Sequence, residues 1–335
     1  MNVLITGGAG FIAHHVIDHF LRETDWNIVC LDRLDISGNL NRLHDMLKEH
    51  DAKMVSSRLR IIFHDLKSEI NSQLVSDIGP IDKVIHIAAA SHVDRSISYP
   101  MEFVMDNVVA TVNVLEYARR YCTNLSDFVY FSTDEIFGVA PPGVAYKEYD
   151  RYNSTNPYSA SKAAGEEFCV AYENTYKMPI KVTHTMNVFG ERQHPEKFIP
   201  GTIRKVRDNQ KVIIHSDRTR TIPGSRMYIH AKDVAEGLLF ILNLTDYTVE
   251  GMCPKFNLVG TEEIDNLELA KMIARSINKP LDYEMTDFHS SRPGHDLRYA
   301  LDGGLLEELG WKPSIKLSER IAQVVSWTLE NDRWL

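Results

Sequence analysis

Thr6-Gly7-Gly8-Ala9-Gly10-Phe11-Ile12-Ala13 follows an apolar run, Asn2–Thr6, that reads as a strand, and opens a stretch of helical spacing, Phe11–Arg22. Glycine at this junction permits a tight turn and lets the backbone approach a pyrophosphate, whose charge then meets the N–H groups at the start of the helix. The spacing is Gly7-x-x-Gly10-x-x-Ala13, with alanine in the third small position, where helix and strand must pack closely. Asp32 ends the second strand, 19 residues after Ala13. A carboxylate there accepts hydrogen bonds from adenosine ribose hydroxyls and repels a 2′-phosphate, which points to NAD rather than NADP. Arg33 could hold that phosphate, but the position of Asp32 fits the ribose contact directly. His64-Asp65-Leu66, after the third strand, reads either as a closure over adenine or as a plain turn.

The same alternation continues downstream. Strands are expected at Asn27–Leu31, Leu59–Phe63, Lys83–Ala88, Phe128–Ser132 and Ile180–His184, with helices at Tyr99–Tyr121 and Pro157–Tyr176 between them. Strands separated by helices imply βαβ units, a parallel sheet and right-handed crossovers. After about residue 187, prolines punctuate shorter elements, with helix-like stretches at Lys232–Leu244, Asn266–Ile277 and Leu317–Trp327. The expected architecture is α/β, a doubly wound parallel sheet with a smaller mixed α/β lobe. The division expected is 1–186 for cofactor and 187–335 for substrate, with interleaving of segments allowed.

Composition narrows the class of function. The 335 residues carry 37 Lys plus Arg against 46 Asp plus Glu, a formal charge of −9, with 44% hydrophobic residues. That is an ordinary globular balance, and its acidity argues against general nucleic-acid binding. Four widely spaced cysteines form no CxxC pair, which argues against structural zinc and against a disulfide framework. No long uncharged apolar run suggests a membrane span, and no secretory leader is visible, so a soluble, cytoplasmic protein is expected. His14, His15, His19, His44 and His50 show no partners at metal spacing, and no metal is expected.

Chemistry concentrates in two stretches. In Tyr158-Ser159-Ala160-Ser161-Lys162 a phenol and an ammonium sit four residues apart, on one face of a helix. A nearby cation lowers a phenol's pKa and makes it usable as acid and base toward an alcohol. The second stretch, Phe128 to Gly138, ends its strand in Ser132-Thr133-Asp134-Glu135. Thr133 can donate and accept a hydrogen bond where an alcohol substrate would lie. Adjacent carboxylates entering a cleft can hold opposite protonation states, one donating a proton while the other removes one.

Together TGGAGFI, HIAAASHVDRSI, STDEIFG, NPYSASKA, PEKFIP and SRPGHDLRYALD resemble the extended short-chain dehydrogenase/reductases, a Rossmann-type superfamily. Within it they resemble most closely the dTDP-glucose 4,6-dehydratases and their UDP-glucose-using relatives, in the same order from Met1 to about Trp327. The resemblance implies a catalytic set of Thr133, Asp134, Glu135, Tyr158 and Lys162. Tyr158, helped by Lys162 and Thr133, would deprotonate the 4-hydroxyl of glucose as hydride leaves C4 for NAD⁺. Glu135 would then take the C5 proton while Asp134 protonates the departing C6 hydroxyl. The implied cofactor contacts are Gly7, Gly10, Phe11, Ile12, Asp32, Asp65, Leu66, Ala88, Ala89, Asn107, Tyr158 and Lys162. On the sugar-nucleotide side they are Ser91, Thr133, Asn187, Glu196, Lys197, Arg226, Asn257, Arg292 and His295, where arginine's planar fork suits phosphate oxygens.

Some positions depart from the bacterial dTDP pattern. Ala90 stands where Glu or Gln is usual, Phe137 where Tyr is usual, and Ser225-Arg226-Met227-Tyr228 replaces an Arg-Asp-Trp stretch. Thymine and uracil both stay open. The superfamily also implies a homodimer through a four-helix bundle built on Tyr99–Tyr121 and Pro157–Tyr176. An NDP-sugar 4-epimerase or decarboxylase is the alternative enzyme, and a nucleotide-sensing regulator the alternative without turnover.

Overall fold

The computed structural model describes residues 1–335 except Ile36, Asp246 and residues 288–296. Its strands are β1 (Asn2–Thr6), β2 (Asn27–Asp32), β3 (Leu59–Phe63), β4 (Lys83–His86), β5 (Asp127–Thr133), β6 (Ile180–Thr185), β7 (Asn187–Phe189), β8 (Val212–Ser216), β9 (Ser225–His230), β10 (Lys255–Leu258), β11 (Glu263–Asp265) and β12 (Tyr283–Asp287). The helices that matter for the site are α1 (Phe11–Glu23), α2 (Leu40–Leu47), α3 (Ala52–Arg58), α4 (Ser72–Ile78), α5 (Val93–Ser98), α6 (Pro100–Val104), α7 (Ala110–Tyr121) and α8 (Pro157–Tyr176). Beyond them come α9 (Phe198–Arg207), α10 (Ala231–Asn243), α11 (Asn266–Ile277), α12 (Gly304–Glu308) and α13 (Leu317–Glu330).

Period-two alternation builds two apolar faces on the main sheet. Val3 and Ile5, Ile28 and Cys30, and Val129 and Phe131 enter one core with α1 and α10; Leu4, Val29 and Leu31, and Phe128 and Tyr130 enter the other with α7 and α8. Strands apolar on both faces belong in a parallel sheet covered by helices on each side. Seven strands run in the order β10-β6-β5-β4-β1-β2-β3, every neighbouring pair parallel. The order reverses at β1 and β4, so the carboxyl ends of β1, β4 and β5 open on a crevice where ligands bind in such sheets.

Segments of the chain interleave across residue 186, as the expected division allowed. α10 packs Val234, Leu238 and Ile241 against α1, and β10 pairs in parallel with β6, so residues 231–258 return to the first lobe. A four-residue strand buried throughout is hard to see from pattern alone. The second lobe gathers β7, β9 and β11 in one sheet and β12 with β8 in another, over a core from α9, α11 and α13. The helix expected at Tyr99–Tyr121 is instead α6 and α7 joined by a π-helical turn, Met105–Val109, which buries Asn107. Among the described residues no helix is long and apolar enough to cross a membrane, and the four cysteines are unpaired and buried.

Candidate active site

The glycine turn is shaped by close approach. Gly7 has φ +73°, and a Cβ there would lie 2.9 Å from Cα of Ala88; a Cβ at Gly10 would lie 2.8 Å from the Gly7 carbonyl oxygen. Larger residues would close the space between β1 and the chain leaving β4. Gly10 starts α1 without any side-chain cap, so no side chain covers the amides of Phe11 and Ile12. Thr6 fastens the neighbouring strand end, since its hydroxyl accepts from the amides of Ile87 (3.2 Å) and Ala88 (3.1 Å). These features fit a bound dinucleotide pyrophosphate.

Asp32 accepts from the amides of Ala9 (2.9 Å) and Leu34 (2.7 Å), tying the glycine turn to the end of β2. Arg33 is turned away from any phosphate role. Its guanidinium donates to Asp106 Oδ2 at 2.8 Å, pairs with Asp35, and lies 3.5 Å from Asp65. The stretch from His64 to Leu66 is a turn, with Lys67 N–H donating to Asp65 Oδ1 at 3.0 Å and Leu66 buried.

β5 ends by delivering Thr133 and Asp134 into a buried corner. Thr133 Oγ1 donates to Asp134 Oδ1 at 3.0 Å and is hydrogen-bonded to the Tyr158 phenol, so one hydroxyl joins strand and helix. The other Asp134 oxygen, Oδ2, is buried without a hydrogen-bond partner. Burial, reinforced by the Glu135 charge, pushes the Asp134 carboxyl up to about 7 from its ordinary 3.8. An acid placed this way still holds its proton near neutrality. Glu135, half-buried, accepts from Asn156 Nδ2 at 3.1 Å.

α8 is started by Asn156, whose side chain accepts from the Ser159 amide, with Pro157 in the first turn. The helix turns Tyr158 and Lys162 inward, both buried. Lys162 Nζ lies 4.2 Å from the centre of the Tyr130 ring, and burial pulls its ammonium down to about 8. Without a bound cofactor the phenol is not acidified. Burial first, then the Glu135 charge, raise the Tyr158 pKa, and only the Thr133 hydrogen bond opposes them.

Several expected ligands already have partners within the protein. Asn257 is wholly buried in β10: its amide donates to the carbonyls of Tyr146 (3.0 Å) and Asp302 (2.9 Å), and its oxygen meets His184 Nδ1 at 2.9 Å. Its side-chain amide is thus engaged within the protein, bridging β10 to His184, Tyr146 and Asp302. Asn107 is likewise committed, donating to Ala90 O (3.0 Å) and Ser161 Oγ (2.8 Å) and accepting from Ala90 N (2.8 Å). It clasps the loop at Ala90 to α8. Ala88 and Ala89 are partly buried in that loop, and Ser91 is exposed.

Arg226 in β9 stacks on Tyr299 at 4.6 Å, donates to the carbonyls of Ser225 and Leu297 (both 2.7 Å), and acts electrostatically on Asp134. Asn187 begins β7 just after β6 ends, whereas Glu196 and Lys197 are exposed ahead of α9. Arg292 and His295 lie outside the described residues. Phe137 is buried and stacked on Tyr146 at 5.4 Å. Among the histidines, His50 pairs with Asp18 at 2.6 Å, and His15 meets the Glu191 carbonyl at 3.0 Å. Asn156, Tyr130 and Ser161 were not expected at the site, although Asn-Pro at a helix start was a legible cap signal.

A dinucleotide fold whose fifth parallel strand presents a Thr-Asp-Glu end to a Tyr–Lys helix is that of a nucleotide-dependent enzyme acting on an alcohol. Residues 3–253 match the NAD dependent epimerase/dehydratase family, and the chain belongs to it. It is 32% identical to the dTDP-glucose 4,6-dehydratase of Salmonella typhimurium over 358 residues, covering 100% of this chain and 94% of the relative. With the mouse dTDP-D-glucose 4,6-dehydratase it shares 34% over 338 residues, 98% of this chain and 89% of the relative. The crystal structure of DesIV, the dTDP-glucose 4,6-dehydratase of Streptomyces venezuelae with NAD and TYD bound, superposes with a TM-score of 0.86 at 30% identity, covering 100% of this chain and 98% of that one. A Thermus thermophilus UDP-glucose 4-epimerase complex with NAD gives 0.81 at 26%, covering 99% and 100%.

Proposed function

We propose that this chain is an NAD-dependent NDP-glucose 4,6-dehydratase, converting dTDP-glucose or UDP-glucose to the 4-keto-6-deoxy sugar nucleotide. The observation that carries the reading is the buried acid beside a half-buried carboxylate at the end of β5, with the phenol of α8 hydrogen-bonded to the same Thr133. A 4-epimerase needs the phenol but no acid and base for C5 and C6. Gly7, Gly10 and the amides of Phe11 and Ile12 would hold the NAD pyrophosphate, and Asp32 the ribose. NAD held there would supply a hydride acceptor for C4, a hydride donor for C6 and positive charge beside the phenol.

The residues of the chain move the protons. Tyr158, whose ionisation the positive charge of bound NAD⁺ and of Lys162 would favour, would as phenolate take the proton of the 4-hydroxyl, with Thr133 beside it. The resulting 4-ketone acidifies C5–H, and Glu135 removes that proton. Asp134, protonated near neutrality, gives its proton to the C6 oxygen, which leaves as water, and once hydride has returned to C6 a proton from Glu135, exchangeable with solvent, completes C5. Arg226, and Asn187, Glu196 and Lys197 around β7 and α9, are proposed to border the sugar and diphosphate. Exposed Tyr99, Met101, Val104, Phe168 and Tyr176 on α6 and α8 are proposed to meet a second copy in a homodimer. Unpaired buried cysteines suit a cytoplasmic setting, and deoxysugar supply of the rhamnose type is the proposed use. Incubation with dTDP-glucose and UDP-glucose should yield a product one water lighter with the alkaline absorbance of a 4-keto-6-deoxy sugar. A galactose nucleotide without water loss would refute the reading.

A further inference from the structure

We infer that Asn156 is a positioning residue that joins the helix carrying the phenol to the carboxylate that removes the C5 proton. The inference rests on the reading of Glu135 as that base. Asn156 is buried and caps α8, its Oδ1 accepting from the Ser159 amide at 2.8 Å, while its Nδ2 donates to Glu135 Oε2 at 3.1 Å. The orientation of the amide follows from its partners. A backbone N–H only donates, so the oxygen of Asn156 must face Ser159 and the NH₂ group must face Glu135.

Two consequences follow for the carboxylate. One of its oxygens is fixed as an acceptor, which favours the anion and restrains rotation of the side chain. Asp134, one residue earlier, receives the Thr133 hydroxyl on Oδ1 but no donor on its buried Oδ2. Adjacent acids are thereby given unequal environments, and the amide of Asn156 is part of what makes residue 135 the base and residue 134 the acid. Among the strong cap residues Ser, Thr, Asp and Asn, only Asn has an amide donor left over once its oxygen caps the helix. Serine keeps the cap and loses that donor. Aspartate keeps the cap and sets a like charge against Glu135.

The test compares Asn156→Ser and Asn156→Asp with the native protein and with Glu135→Gln. Melting temperature and bound cofactor should stay close to native in both Asn156 variants, because the cap is retained. In single turnovers with dTDP-glucose, C4 oxidation should proceed while elimination slows by roughly a hundred-fold, the scale expected when a reacting group is misplaced. Reduced cofactor should therefore accumulate, a signature that loss of helix stability alone would not produce. Elimination at the native rate in both variants would overturn the inference, as would equal slowing of oxidation and elimination. If Glu135→Gln itself eliminates water normally, the reading of Glu135 fails instead.

Discussion

Asp134→Asn separates stability from chemistry at the same atom. In the native protein the Asp134 carboxyl is raised from 3.8 to about 7, chiefly by burial. The folded state binds this proton more tightly than the unfolded chain does. Its contribution is therefore fully present below the unfolded pKa and lost as pH rises through 7. At about 1.4 kcal/mol per pH unit, the displacement is worth about 4 kcal/mol across the whole window. Asparagine has the same shape and carries no charge at any pH. The stability of Asp134→Asn relative to native should therefore climb by about 3 kcal/mol between about pH 5 and pH 8, since most of the titration lies in that range. Urea denaturation of both proteins at matched cofactor content measures it, and the difference between proteins cancels groups that titrate in both. The variant should still oxidise C4 but fail to expel water. A stability difference that stays flat with pH would refute the assignment of a buried, protonated Asp134.

Further outcomes follow from the same geometry. Elimination by the native protein should decline as pH rises through about 7, where Asp134 loses its proton, whereas C4 oxidation in Asp134→Asn should persist to about pH 8, where Lys162 loses its charge; rapid-mixing measurements across pH separate the two limbs. Gly7→Ala forces a Cβ into the Ala88 backbone at a positive φ, a strain of about 1–3 kcal/mol, and should purify with little NAD. Asn257→Ala strands the buried His184 and two part-buried carbonyls and should lower stability by about 2 kcal/mol in denaturant, leaving KM for the sugar nucleotide unchanged. A raised KM with native stability would restore Asn257 as a ligand.

Local signals were the legible part of this protein. The glycine turn, the strands before Asp32 and Thr133 and the Tyr–Lys helix depend on spacing within a few residues, and the structure places them together. What escaped depends on distant partners. Asn257 looks like a polar ligand at a strand end until His184, Tyr146 and Asp302 are seen to use its whole amide. Arg33 looks available for a phosphate until Asp106, from a π-helical turn, engages it. Even the direction of the Tyr158 pKa required burial to be known, because desolvation and the Glu135 charge outweigh the Thr133 hydroxyl that opposes them. β10 joins the main sheet only because the chain crosses back after α10, which no local pattern records.

Turnover in heavy water examines the acid–base pair most directly. If residue 135 strips the ring carbon next to the ketone and solvent later refills it, the 4-keto-6-deoxy product should carry one deuterium at C5, while Glu135→Gln yields none. Product formed without label at C5 would contradict the account, as would an unlabelled C4 epimer that keeps its primary hydroxyl.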